Sequence, residues 1–324
     1  MLLYYLAIAV VSFLATLILS HFLIPRLKRF GITGRDVNKP DKPEVAEMGG
    51  IAIVAGFTGG ILLAICFNTF FGFQFDLIKL LAALITIHSV AFIGVVDDLI
   101  DIPQKYKAFL PLFAAIPLIA VKATGKTTLL IPFIGVVNFG IFYLLLLIPV
   151  GVAVASNLTN MLAGFNGLEA GMGIVIFGAM TILAVAHGST DMALISISMM
   201  AALVAFMVFN KNPSSVFPGD VGNLTIGAAL AAGVIIGNFD TAGALLMLPY
   251  VVDFFIKAYN RFPSSKWWGE YRDGKLYPLE GKVRGFCQLV MKMFNGITER
   301  NLVFFFMGLE ALVAVCMLAI YLRI

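Results

Sequence analysis

Asn157 and Asn160 stand three residues apart in Asn-Leu-Thr-Asn-Met-Leu-Ala-Gly-Phe-Asn-Gly-Leu-Glu-Ala-Gly (157–171), a polar stretch between two long apolar runs. One helical turn puts both amides on the same face. Amide oxygens are hard donors, suited to a magnesium ion that keeps several waters and binds phosphate. The glycines allow positive φ and close backbone approach to a flat or charged ligand. The plainer reading of Gly167 and Gly171, four apart, is small-residue helix packing. Three asparagines in the same run favour a site.

Two further stretches carry acids where apolar runs end. In Val96-Asp97-Asp98-Leu-Ile-Asp101, helical spacing puts Asp97 and Asp101 on one face and turns Asp98 about 100° away. Acids at a span end are costly unless they pair, bind metal or reach water. Lys105 and Lys107 follow closely, able to neutralise them or hold a phosphate. In Phe217-Pro-Gly219-Asp220, the carboxylate opens an apolar run and so sits near a helix N-terminus, where anions are also favoured. That is a seat for a metal–diphosphate pair. Phe217 is placed as a stacking platform for a flat base, although such aromatics are more often interface anchors. Arg300, at the mouth of the last apolar run, is a cation to aim at phosphate. Asp253 and Glu310 are intramembrane acids, a class that is functional by default; His21, His88 and His187 are each isolated and are set aside.

Stepping outward from these residues, the chain of 324 residues is 60% hydrophobic and only 12% charged. A soluble domain carries about 25% charged residues, so the chain reads as an all-α polytopic membrane protein, a single integral-membrane domain over 1–324. Apolar runs predict about ten helices, at 2–24, 50–67, 77–96, 108–122, 139–155, 168–187, 191–209, 222–237, 242–259 and 301–322. The run 222–237 is short enough to be tilted or re-entrant. Three scattered cysteines, with no CxxC, argue against a disulfide framework or a zinc site.

The connections 25–49, 97–107, 156–167, 210–221 and 257–300 hold 18 of the 22 Lys and Arg; the opposite face holds Lys79, Lys122, Lys126 and Arg323. By the positive-inside rule those connections are cytoplasmic and both termini face outward. The first loop, Arg35 to Gly50, contains Asn38, Glu47 and two prolines that forbid a regular helix. In the last, Asp273-Gly274 marks a hairpin turn. Phe286, Val290, Met293, Phe294 and Ile297 recur at helical spacing, as in an amphipathic helix at the membrane interface, a level that also suits Trp267 and Trp268.

In the same order along the chain stand Asp36-Val37-Asn38-Lys39 with Glu47, then Asp97-Asp98, Lys107 ahead of Leu110-Pro111, Asn157 to Gly171, Phe217 to Asp220, and Ile297-Thr-Glu-Arg-Asn-Leu302. Together these resemble the polyprenyl-phosphate N-acetylhexosamine-1-phosphate transferases, and most the archaeal and eukaryotic branch that makes dolichyl-diphosphate-GlcNAc. Asn166-Gly167 stands where the bacterial branch has Asp-Gly, and the His-rich final loop of that branch is absent. The resemblance implies ten transmembrane helices, a cytoplasmic active site and one Mg²⁺ or Mn²⁺ held by Asn160 and Asp220. It implies Lys107 and Arg300 on the diphosphate, and Asp97 and Asp98 near the acceptor phosphate. It implies Phe217 on uracil, Asn166 at its edge and the Val37 backbone beside it. Asn38, Lys39, Glu47, Asn157, Gly167 and Gly219 complete the substrate-binding set.

The expected reaction moves a sugar-1-phosphate from a UDP-N-acetylhexosamine to a polyprenyl or dolichyl phosphate and releases UMP, with the lipid tail in a groove between spans. No nucleic-acid partner is expected; membrane lipids surround the chain, and homodimerisation is left open. Two rivals remain. Asp97-Asp98-Leu-Ile-Asp101 is also a DDxxD, as in intramembrane prenyltransferases, but a second aspartate-rich cluster is missing. A nucleotide-sugar or lipid transporter would need a polar path across the bilayer and an internal repeat.

Overall fold

The computed structural model describes residues 1–123, 125–131, 134–263 and 266–322; Arg323, counted above among the outer cations, lies outside them. The apolar runs become α1 (Leu2–Arg29), α2 (Gly50–Phe71), α3 (Leu77–Ile100), α4 (Gln104–Ala114) and α5 (Ile116–Lys122). They continue as α6 (Ile148–Met161), α7 (Leu168–Ala186), α8 (Thr190–Asn210) and α9 (Gly219–Gly237). The chain ends with α10 (Asp240–Leu246), α11 (Leu248–Tyr259), α12 (Phe286–Met293) and α13 (Glu299–Tyr321). Among the described residues nine helical segments are long and apolar enough to span a bilayer, α4 with α5 counting as one. The pair α10–α11, bent by 59°, makes a tenth if it crosses as one broken span. The expected all-α membrane architecture is therefore present.

The short run expected at 222–237 is a full helix and the centre of the molecule. Every residue of α9 except Asp220 and Gly237 is buried. It packs on α3, α6, α8 and α2, and its small residues are what let those helices approach. A Cβ on Gly94 of α3 would lie 2.5 Å from Val221 Cα, and one on Gly50 would lie 2.2 Å from the Gly222 amide nitrogen. Gly94→Ala is therefore expected to force α3 off α9 and to cost about 1–3 kcal/mol, read as a lower thermal midpoint in detergent. Gly59→Ala, whose Cβ would meet only ordinary contacts at 3.7 and 3.8 Å, should leave the midpoint unchanged.

Three two-stranded antiparallel ribbons were not all legible beforehand. The last is: β5 (Gly269–Arg272) pairs with β6 (Lys275–Pro278) around Asp273 and Gly274, both at positive φ, where a tight hairpin needs them. The ribbons β1 (Thr33–Arg35) with β2 (Glu44–Ala46), and β3 (Thr128–Ile131) with β4 (Gly135–Asn138), had no alternating signature. The first matters most here. It fixes the ends of the Asp36–Pro43 loop, and Ala46 leads on by a bridge to Val216, ahead of α9. The amphipathic segment is shorter than its pattern: α12 stops at Met293 and buries Cys287, Gln288, Val290 and Met291, while Met293 and Phe294 are exposed.

Candidate active site

The ends of α3, α4, α6 and α9 meet at one face of the bundle. Lys107, one turn into α4, reaches across to both neighbours: its Nζ lies 2.5 Å from Asp97 Oδ2 and 2.5 Å from Asp220 Oδ2. Lys107 and Asp97 are buried and Asp220 partly so, with side-chain exposures of 8%, 3% and 24%. In that setting the cation between the two carboxylates offsets their repulsion.

The other carboxylate oxygens have partners too. Asp97 Oδ1 accepts from the Ile102 N–H at 2.7 Å, holding the turn that leads into α4. Asp98 accepts from the Asp220 N–H at 2.8 Å and the Val221 N–H at 3.1 Å, so it satisfies the otherwise unpaired first amides of α9. Gly219, at φ +68, leaves room for it; a Cβ there would lie 2.6 Å from Asp98 Oδ2. Asp97 thus ties Lys107 to α3, and Asp98 ties α3 to the start of α9. Asp101 is exposed at the left-handed end of α3, so the three acids do not converge as a diphosphate-binding DDxxD would.

Asn160 sits on the facing helix. Its Oδ1 accepts from Asn223 Nδ2 at 3.0 Å, and Asn223 is one turn beyond Asp220 on α9. Asn160, Asn223 and Asp220 line one cavity of ≈ 1090 Å³. The buried Asn223 Oδ1 has no hydrogen-bond partner. A carboxylate, an amide oxygen and an unsatisfied amide beside them fit a hard divalent ion that keeps much of its water. Among the described residues no group of three His, Cys, Asp or Glu side chains forms a metal site by itself. A metal held by these donors would take its remaining ligands from water or phosphate.

The cavity continues past Lys107 to Asn157, whose Nδ2 donates to the Ala153 carbonyl at 2.8 Å, and past Phe217, Gly219, Val37, Asn38 and Glu47. Phe217 is held by its backbone, which donates to the Ala46 carbonyl and accepts from the Gly49 N–H. Burial, and then the facing Asp98 carboxylate, push the Glu47 carboxyl above its usual range. Asn38 is already fully engaged, donating to the Gly164 carbonyl at 2.9 Å and accepting from the Gly269 N–H at 3.0 Å. It joins the first, third and last loops of this face.

Five expected site residues lie off the cavity wall: Asp97, paired with Lys107, and four more. Arg300 is exposed, lies over the Phe304 ring and is absent from the cavity wall. One residue earlier, Glu299 is buried and faces inward, and the 100° step of a helix makes these two directions exclusive. Asn166 is buried with its Nδ2 on Asp36 Oδ2 at 2.9 Å, Gly167 forms the left-handed entry to α7, and Lys39 pairs with Glu299. All three hold the wall from behind and do not line it. Arg300→Ala is accordingly expected to leave kcat/KM within about threefold of the parent, measured in the transfer assay given below.

The wall contains groups that composition and spacing did not single out for it. Asn223 was findable, being three residues after Asp220. Trp267, expected at the membrane interface, lies against Gly164, where a Cβ would meet its ring at 2.2 Å, and edge-on to Phe165 at 6.1 Å. Glu169 Oε1 accepts from the Gly164 N–H at 2.5 Å. Beyond these the wall turns apolar, with Ala153 and Val154 of α6 and Val251, Phe254 and Phe255 of α11; Val154 and Phe255 are exposed.

A family model described as glycosyl transferase family 4 matches residues 80–238. A protein of Saccharolobus solfataricus provisionally named UDP-N-acetylglucosamine–dolichyl-phosphate N-acetylglucosaminephosphotransferase is 38% identical, over 94% of this chain and 93% of its own length. A Dictyostelium discoideum protein bearing that name outright is 27% identical over 88% of the chain and 81% of its own. A phospho-N-acetylmuramoyl-pentapeptide-transferase of Halalkalibacterium halodurans is 30% identical over 79% and 85%.

Proposed function

Since the chain belongs to glycosyl transferase family 4, we propose that it transfers N-acetylglucosamine-1-phosphate, or a related N-acetylhexosamine-1-phosphate, from a UDP-sugar to a polyprenyl or dolichyl phosphate, releasing UMP. The observation that carries this reading is that one cavity joins a charged centre to an apolar wall with the exposed side chains Val154 and Phe255. Lys107, Asp220 and Asn160 stand at one end and the α6–α11 side chains at the other. A water-soluble diphosphate and a membrane-bound phosphate can meet only in such a place.

Phosphoryl transfer asks mainly for positioning and charge neutralisation. Lys107 supplies a fixed positive charge at the reacting phosphates, and Asp97 holds that ammonium on its Asp220 side. Asp98 pins the first turn of α9 and thereby Asp220. A magnesium or manganese ion bound by Asn160 and Asp220 would neutralise phosphate charge and support the departing UMP. Phe217 offers a ring to the uracil, with the Val37 backbone beside it, and Glu47 and Asn157 line the sugar-phosphate path. Because a lipid phosphate is already largely ionised near neutral pH, no strong base is required. The excess of Lys and Arg on the loops of this face supports a cytoplasmic side for it, with both termini outward.

The purified protein, given radiolabelled UDP-GlcNAc and a polyprenyl phosphate, should release UMP and form a labelled lipid diphosphate. Chelation with EDTA should stop both. Labelled sugar crossing vesicles without a lipid product would favour a transporter instead.

A further inference from the structure

Glu299 is the first residue of α13, buried, and outside the cavity wall, yet both of its oxygens are in use. Oε1 accepts from the Asn166 N–H at 2.8 Å. Oε2 accepts from Asn212 Nδ2 at 2.7 Å and from Lys39 Nζ. The three donors come from three different connections: the first loop, the turn between α6 and α7, and the loop before α9. Each leads directly to wall residues, which are Val37 and Asn38, Gly164 and Phe165, and Phe217 to Asp220.

The same tie is doubled around Asp36. Lys39 Nζ also lies 3.4 Å from Asp36 Oδ2, and that oxygen accepts from Asn166 Nδ2 at 2.9 Å. Asp36 and Glu299 thus share the Lys39 ammonium and Asn166, which donates its side-chain amide to the first and its backbone N–H to the second; Asp36 stands at the cavity wall and Glu299 behind it. The position at the start of α13 adds the favourable end of the helix dipole. None of these groups needs to touch the substrate to set where the wall stands.

On the transferase reading above, we propose that Glu299 is a positioning residue for the nucleotide-sugar: it locks the first, third and fourth loops of the reacting face into one rim. The lipid phosphate approaches along α6 and α11, which Glu299 does not touch. Its loss therefore acts on one substrate.

The test uses the full-length protein in detergent and compares the parent with Glu299→Gln, Lys39→Met, the double variant and Asn212→Ala. Glu299→Gln is expected to raise the KM for UDP-GlcNAc about tenfold while kcat and the KM for lipid phosphate change by less than about threefold. The double variant should be no worse than the poorer single, since both remove one ion pair. Asn212→Ala leaves the carboxylate in place and should give a smaller shift in the same direction. It keeps the inference testable if Glu299→Gln does not fold.

Amide hydrogen exchange gives a readout independent of turnover. Residues 36–39 and 162–166 should exchange faster in Glu299→Gln, while α6 and α11 keep the parent's protection. Equal loss for both substrates, an unchanged nucleotide-sugar KM with unchanged exchange, or independent effects of Lys39→Met and Glu299→Gln would each overturn the inference. A parent protein that makes no lipid product overturns the transferase reading instead, and the exchange comparison still decides the role of Glu299.

Discussion

Lys107→Ala is expected to abolish transfer, lowering kcat/KM by more than about 10³-fold, and to destabilise the protein at the same time. The ammonium lies 2.5 Å from carboxylates on two different helices, α3 and α9. Removing it leaves Asp97 and Asp220 facing each other, the first buried and the second partly so. Breaking a buried pair from one side costs about 3–5 kcal/mol, because the remaining charge keeps its desolvation penalty. A thermal melt in detergent reads the stability, and UMP release reads the activity. Adding Asp97→Asn neutralises one stranded carboxylate, so it should recover part of the midpoint without recovering turnover. That separation is the signature of a lysine serving both the bundle and the phosphates; normal turnover of Lys107→Ala would contradict it.

Asp220→Asn is expected to reduce transfer by more than about 10²-fold at every magnesium concentration tried, with a smaller effect on folding. The substitution keeps the shape and the Asp98 hydrogen bond to its backbone, and Lys107 keeps Asp97 as a partner. What it removes is the carboxylate one turn before Asn223 on α9, in the cavity wall that also holds Asn160. Mn²⁺ binding followed by electron paramagnetic resonance should weaken at least about tenfold, with no turnover needed for the reading. Unchanged Mn²⁺ affinity together with near-parental activity would remove Asp220 from the metal site.

Much of the architecture was legible from composition and periodicity. Long apolar runs can only be spans, since nothing else of that hydropathy satisfies its backbone in a bilayer, and the described helices follow those runs closely. The acid at Asp97 with a lysine ten residues on, and the Gly219-Asp220 pair opening a helix, also announced themselves. Acids and cations at span ends are costly and so are kept for a reason.

What remained hidden depends on which side of a helix or loop meets another part of the chain. Nothing local distinguishes Glu299 from Arg300 as the residue that faces inward; the packing of α13 decides it, and one residue of rotation exchanges the two. The central place of α9 rests on paired glycines such as Gly50 and Gly222, far apart in the chain and in contact only once the bundle is formed. Trp267 reads as an interface anchor by type and becomes part of the cavity because Gly164 leaves space for its ring. Residue type and spacing, acting within one turn, determined the spans and the charged ends of α3, α4 and α9. Only long-range packing, in which small residues choose the neighbours, decided which polar groups share a wall and which hold that wall from behind.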